Sequence, residues 1–522
     1  MTTTATHTLA FDGPVDEARR ALVGQPLSAV RTPALIIDRA TVQRNCARMQ
    51  RIAASFGAPL RPHLKTHKTL EGARMQLQTH DGSSTSAIVS TMAELRGAID
   101  GLVGKDAGFA LKNLCYGLPI TADKIAELVE LRHQGRQLDP EFDLVLIVDQ
   151  PAQVRTLQAH LAKSDAEASA PFSVFFKVET GDVRAGVLPG SAIFHAITEA
   201  IVASPNVSLY GVYGHAGHSY DARGVEQAVE YLKQELSAVN RAGELLNLAL
   251  AQGSGGSASR HRSPLLLSVG ATPTAGAAAA GTVKEMLATL SQQPHGDFEL
   301  HAGNYAFLDM QQLATRVQNE AASVEDLAMS VLATVVSEYP QRAAEDVGQI
   351  GQWSADGYAK RGDEALCDAG GIAMSKDQGP WPGYGHVVWP RHQIGWMLSR
   401  PSQEHGILEV RPGTKDDWTS MWTWRGADGF VEPRPLLVGD RIRILPQHAC
   451  LAAANHFYYY IIDSDQGGET VVDVWKPWKG CTPDGCSLVL SSDEQARGTG
   501  PHFELFHGQV RALTEGLDHG SP

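Results

Sequence analysis

The sequence predicts a β/α barrel followed by a mainly antiparallel β domain, and three observations support this. From about Thr32 to about Asp309, short apolar runs alternate with helix-like segments. Those runs are continuous in Val, Ile, Leu and Phe, as strands of a buried parallel sheet are. Beyond about Leu327 the texture changes to β-rich segments parted by Gly, Pro and Asp turns, with the tryptophans after residue 350.

Taken in order, PALIIDR (Pro33–Arg39) reads as a strand and TVQRNCARMQRIAASFG as a helix ended by Gly57. RPHLKTHK (Arg61–Lys68) reads as strand plus loop, followed by a helix through Leu70–Thr79. Further strands are expected at Ser86–Ser90, Lys112–Gly117, Phe142–Asp149, Phe172–Glu179, Val207–His215, Leu265–Gly270 and Phe298–Asn304. Eight or more strand–helix units fit a barrel better than an open doubly wound sheet, which is the alternative. The expected domains are an N-terminal extension (1–30), the barrel (31–325) and the β domain (326–522). GSGGSASRHRS (Gly253–Ser263) reads as a Gly/Ser-rich surface insert.

Composition bounds the function. The 522 residues, at roughly 150 per domain, allow two or three domains. With 43% hydrophobic and 20% charged residues, the chain is neither disordered nor fibrous. Lys+Arg 44 against Asp+Glu 58 gives a net charge of −14, the wrong sign for a protein that neutralises phosphates on nucleic acid. Six cysteines are too few for a disulfide framework and point to a reducing compartment. No secretory signal pattern and no apolar run long enough to span a bilayer is found, so a cytoplasmic protein without membrane partners is expected.

Six segments can carry chemistry. In RPHLKTHK, strand spacing would put His63, Lys65 and His67 on one face. A lysine at the C-terminal mouth of a barrel strand is placed to form a Schiff base, although the same cluster fits a solvated basic loop. KVETGDVRAGV brings Arg184 to a strand end, either to hold an anionic oxygen or as part of a surface turn. GHAGHSY adds His215, His218 and Tyr220, residue types that stack on rings, donate hydrogen bonds or act as bases. SVGATPT offers Gly270, Ala271 and Thr272 as a phosphate cradle or a plain turn, and HAGNYAFLD adds Tyr305. In PQHACLAAANHF, His448 and Cys450 stand two apart on an expected strand and can share a soft cation, or can be a core cysteine beside a satisfied histidine. Cys481 and Cys486 (CTPDGC) read as a turn, since no second pair completes a metal site.

In order along the chain, RPHLKTHK, KVETGDVRAGV, YGHAGHSY, SVGATPT, HAGNYAFLD, CDAGGIAMSKDQGP and PQHAC resemble the blocks of the D-serine dehydratase / D-threonine aldolase family. That family shares the alanine-racemase-like, fold type III pyridoxal-phosphate barrel, and the resemblance runs from about Thr32 to about Asp463. It implies that Lys65 carries pyridoxal 5'-phosphate and acts as the catalytic base. Arg184 would lie by the cofactor's phenolic oxygen and His215, a second catalytic candidate, near its ring. Tyr220, Gly270, Ala271, Thr272 and Tyr305 would complete the cofactor site. His448 and Cys450 would hold Zn2+, with Mn2+ or Mg2+ as alternatives. Ala271 replaces the serine common in the family, and Leu451-Ala452-Ala453 replaces a Pro-Thr continuation, a departure that leans toward the fungal-type branch.

The resemblance further implies a lyase. Dehydratase members carry His-x-Cys and the aldolases His-x-Asp, so His448-Ala449-Cys450 favours loss of water from a β-hydroxy D-amino acid, D-serine to pyruvate and ammonia. The alternative is a metal-dependent D-threonine aldolase, or an enzyme cleaving or dehydrating 3-hydroxy-D-aspartate. A racemase would have no use for the metal pair, and a non-catalytic cofactor carrier none for a second domain. The implied partners are a small-molecule substrate and a second copy of the chain in a homodimer.

Overall fold

The computed structural model describes residues 15–104, 111–163, 171–252, 260–283, 295–317, 323–342, 357–360, 362–410 and 433–479. Most of the insert, the CTPDGC turn and the remainder of the expected β domain beyond 479 lie outside the described residues. The chain through Trp478 forms one compact unit.

In chain order the strands are β1 (Ala34–Asp38), β2 (Leu60–Pro62), a short hairpin of β3 (Gln78–Thr79) and β4 (Gly82–Ser83), β5 (Ser86–Val89), β6 (Asn113–Pro119), β7 (Asp143–Val148), β8 (Phe172–Lys177), β9 (Val207–Tyr213), β10 (Leu266–Val269) and β11 (Asp297–Ala302). β12 (Met329–Tyr339), β13 (Glu364–Cys367), β14 (Gly385–Trp389), β15 (Trp396–Pro401), β16 (Gly406–Val410), β17 (Arg441–Pro446), β18 (Tyr459–Ile462) and β19 (Asp473–Trp475) follow.

Eight strands, in the order β2-β11-β10-β9-β8-β7-β6-β5, form a parallel sheet. A bridge between His63 and Ile88 joins its two edges into a barrel. Ile88, Cys115, Val145, Ile147, Phe175, Tyr213 and Leu266 cluster together from six of its strands. A buried ion pair lies among these strands: Arg61 Nε is 2.7 Å from Glu299 Oε1, and Arg61 also donates to Asn113. The helices between strands, among them α2 (Arg39–Phe56) and α8 (Val225–Gln252), bury one face each. Gly57 ends α2 at φ 82°, the left-handed position a glycine takes without strain.

A second, nine-stranded sheet has the order β13-β16-β15-β14-β17-β12-β1-β18-β19 and is mostly antiparallel. It corrects one expectation: PALIIDR is not a barrel strand. β1 pairs antiparallel with β12 and parallel with β18, placing Ile36 opposite Ser330 and Tyr460. Leu35 and Ile37 face the main core, while Ala34 and Ile36 pack with Leu332 and Tyr460 under α1 (Val15–Leu22). An apolar run buried on both faces records burial without recording which sheet supplies the neighbours. The segment expected as an N-terminal extension therefore contributes a helix to this layer.

Candidate active site

Lys65 does not continue a strand, as its spacing suggested. β2 ends at Pro62; His63 N still bonds Ala302 O at 2.7 Å, and the chain then turns into a 3-10 segment, Leu64–Thr66. His63 Nδ1 accepts from Lys65 N at 3.4 Å. The turn separates the three residues expected on one face. His67 is buried, its ring bonded to Gln76 and to the Thr69 amide, and burial lowers its pKa to about 4. It is a structural residue.

Around the C-terminal ends of the barrel strands the structure gathers Lys65, His215 and His301. Burial, then His301, Lys65, Lys177 and Arg184, holds the His215 imidazolium well below its ordinary range. His215 is therefore a neutral ring that donates from Nδ1 to Gly270 O at 2.7 Å. It stacks on His301 at 5.6 Å between centroids, and His301 stacks on Tyr213 at 4.3 Å. A relay runs inward from His301 through Ser268, which lies 3.0 Å from its Nδ1, to Glu299 and Arg61.

SVGATPT spans the end of β10 and the start of α9 (Thr272–Ala277). Two of its expected phosphate donors are already engaged. Gly270 N donates to Glu235 Oε1 at 3.1 Å, and Ala271 N to Thr274 Oγ1 at 2.8 Å. Thr272 Oγ1 is buried without a close hydrogen bond and lies beside the Tyr220 hydroxyl, whose ionised form it favours. Arg184 pairs with Asp182 at 3.3 Å and its side chain is 58% exposed. It reaches the mouth through its field, which acts on Lys177, Tyr213, His215 and Tyr220. Tyr305 is set apart: it is buried on the helix side of the barrel, where its surroundings are Cys46 of α2 and Gln76.

His448 and Cys450 are not on a strand. β17 ends at Pro446; His448 caps the helix Ala449–Ala454 and Cys450 stands in its first turn. His448 Nδ1 donates to Gln311 Oε1 at 2.6 Å, and Asp309 holds the helix start by accepting from Ala449 N at 2.9 Å. Burial opposes charge on both groups, yet each favours the charged form of the other. Cys450, Asp309 and Asp377 raise His448 to about 9, while His448, Lys65 and Thr66 lower the Cys450 thiol. Such a thiolate and imidazole are a soft donor pair. Among the described residues no cluster of three or more His, Cys, Asp or Glu is arranged for a metal, so the pair would form an open site completed by water or substrate. Thr66 Oγ1 lies 3.3 Å from Cys450 Sγ, and Tyr220 lies in the field of Cys450 and Asp309. The His448–Cys450 pair and the lysine turn thus meet at one mouth.

Three residues of this mouth were not singled out by sequence. Lys177 is buried at the end of β8, its Nζ 4.9 Å from the Tyr213 ring centroid; burial, then Arg184, lowers it to about 8. His301 opens the HAGNYAFLD segment. Glu235, in the middle of α8, accepts from both Ala216 N (2.7 Å) and Gly270 N. Its only sequence signal is an acid on the buried face of a long amphipathic helix.

Comparison with known proteins agrees with this geometry. Residues 37–267 match the family model "Alanine racemase, N-terminal domain", and residues 328–462 match "Putative serine dehydratase domain". The chain is 34% identical to a D-serine dehydratase of Schizosaccharomyces pombe over 89% of its own length and 95% of the relative's. It is 27% identical to the Saccharomyces cerevisiae D-serine dehydratase, with 86% and 96% covered. Among solved structures, D-threo-3-hydroxyaspartate dehydratase from Delftia sp. HT23 superposes with a TM-score of 0.64 at 28% identity, covering 87% of this chain and 99% of that one. That dehydratase has also been solved as a cysteine-to-alanine mutant in a metal-free form. An alanine-racemase-like barrel, a serine-dehydratase domain and 34% identity along nearly the whole of a D-serine dehydratase place this chain in the D-serine dehydratase family.

Proposed function

We propose that this chain is a pyridoxal-phosphate- and zinc-dependent D-serine dehydratase that releases pyruvate and ammonia. The observation that carries this reading is the 3.3 Å approach of Thr66, next to Lys65, to Cys450, next in the metal pair to His448. It brings an amine able to bind a carbonyl cofactor beside a soft donor pair able to hold a cation.

The residues present fit the cofactor. Thr272 offers a buried hydroxyl beside Tyr220, Lys65, Lys177 and Arg184 make the mouth cationic, and His215 and His301 stay neutral beside them. Pyridoxal phosphate, when bound, supplies an electron sink for charge developing at Cα. Lys65 Nζ would hold the cofactor and, as a free amine, would take the Cα proton. His215, fixed through Nδ1 to Gly270 O, keeps a ring face in place without adding a positive charge. The two donors His448 and Cys450 would hold zinc, which supplies Lewis-acid assistance to a leaving hydroxyl. Gln311 fixes the His448 ring so that its other nitrogen is presented for that purpose. A head-to-tail homodimer, expected from the family resemblance, belongs to the same proposal and is read by light scattering.

The deciding experiment incubates the purified protein with D-serine, pyridoxal phosphate and zinc, and assays pyruvate and ammonia with and without a chelator. Chelator-sensitive pyruvate is expected. Glycine and an aldehyde from D-threonine or 3-hydroxy-D-aspartate, with no pyruvate from D-serine, would make the protein an aldolase instead.

A further inference from the structure

We propose that a cleft on the outer face of the second sheet binds a free amino acid with an apolar side chain, at a site separate from the barrel mouth. The cleft has a volume of about 410 Å³ and is lined from β1, β12, β14, β17 and β18. None of the residues assigned to the barrel-mouth site lines it.

Strand alternation places Arg443 in this cleft. Ile442 and Ile444 turn into the main core, so Arg443 and Leu445 turn the other way. In register Arg443 stands between Leu332 of β12 and Trp389 of β14, with its guanidinium carbon 5.6 Å from the Trp389 ring centroid. Its Nε is fully buried without a hydrogen-bond partner, and it forms no ion pair among the described residues. Burial lowers its pKa, with Asp38 and Glu469 only partly offsetting the effect. An unmet buried cationic donor is costly and points to an anionic ligand.

The same cleft holds the complementary charge. Glu325 lines it with its carboxylate in no ion pair among the described residues, with Arg443 or otherwise. Asp38 is already engaged, accepting from the Thr41 hydroxyl at 2.6 Å and from Ser464 N at 2.9 Å. Arg44 is tied to Asp465 at 3.0 Å. The rest of the wall is mixed: Ile36, Val324, Leu327, Val388, Leu445 and Ile462 give it aliphatic surface, and Thr41, Ser330, Arg391 and Ser464 give it polar groups. A guanidinium suits an α-carboxylate, a free carboxylate suits an ammonium, and an aliphatic wall suits a side chain. The strand carrying Arg443 ends at Pro446, two residues before His448, so this site lies one strand end from the metal pair.

The test titrates the holoenzyme, loaded with pyridoxal phosphate, with L-leucine by calorimetry. Two controls are 4-methylpentanoate, which lacks the ammonium, and isoamylamine, which lacks the carboxylate. Leucine is expected to bind, each control and each of the variants Arg443→Met and Glu325→Gln to bind at least about tenfold more weakly, and D-serine not to compete. No binding of leucine to the wild-type protein overturns the proposal. Unchanged binding in a variant that keeps the wild-type unfolding temperature, equal binding of 4-methylpentanoate, or displacement by D-serine overturns it as well. If Arg443→Met does not fold, Arg443→Lys and Glu325→Gln serve the same comparison, since the fork geometry is lost in one and the charge in the other.

Discussion

The hydroxyl of Thr66 lies 3.3 Å from the thiol of Cys450, joining two residues 384 positions apart in the chain. Through this contact the turn that carries Lys65 abuts the helix that His448 caps and that carries Cys450. The neighbouring charges of Lys65 and His448 favour the thiolate. Four expected outcomes test the roles drawn from this arrangement.

Replacing Lys65 by Ala removes the amine proposed both to anchor the cofactor and to act as the base at Cα. Turnover should fall on the order of 10²–10⁴-fold or more. Borohydride treatment of the wild-type protein with pyridoxal phosphate should label the Lys65 peptide by mass, and the variant should show no such label. Label at another lysine in the wild-type protein, Lys177 included, would reassign the anchor.

His448→Ala and Cys450→Ala should each abolish dehydration while the cofactor still labels Lys65. Gln311→Ala tests a subtler point, since Gln311 only fixes the His448 ring at 2.6 Å. Loss of such a partner should weaken zinc binding about 10–100-fold, with the rate restored by excess metal. A Gln311→Ala variant with wild-type zinc affinity would leave that hydrogen bond without a functional role.

Glu235 carries the pH dependence that the structure makes visible. Burial raises its carboxyl from 4.5 to about 7 against the lowering effect of the Ala216 and Gly270 amides. An acid whose pKa is higher in the folded chain binds its proton more tightly there. Its contribution to stability therefore falls as pH rises from about 4.5 to about 7 and is level above that. Glu235→Gln keeps an acceptor and removes the titration. Relative to wild type, it should gain up to about 3 kcal/mol between pH 4.5 and pH 8, read from urea midpoints at both values. Parallel stability profiles for the two proteins would refute the assignment.

The Arg61–Glu299 pair is buried on both sides, with side chains 1% and 3% exposed. Truncating one partner leaves an uncompensated charge, so Arg61→Met should cost about 3–5 kcal/mol. Replacing both, as Arg61→Met with Glu299→Leu, should recover a large part of that loss. An additive double mutant would show that the two charges do not depend on each other.

The sequence by itself determined the residue chemistry and its order. Continuous apolar runs marked the barrel strands because burial on both faces leaves no polar alternation. The resemblance of its ordered motifs to a known family pointed to Lys65, His215, Thr272, His448 and Cys450, which the fold brings to one mouth. What it did not carry were the pairings. β1 carries a barrel-like pattern yet pairs with β12, some 295 residues away, because an apolar pattern records burial and not the partner strand. The donors of Gly270 and Ala271 looked free in the sequence; packing of α8 against the strand ends gives the first to Glu235, and the local turn gives the second to Thr274. Tyr305 followed the right motif but turned toward α2, since side-chain direction at a strand end depends on the 3-10 turn that follows it. Local sequence sets which groups the chain can offer; long-range packing decides which of them remain unsatisfied and therefore available for chemistry.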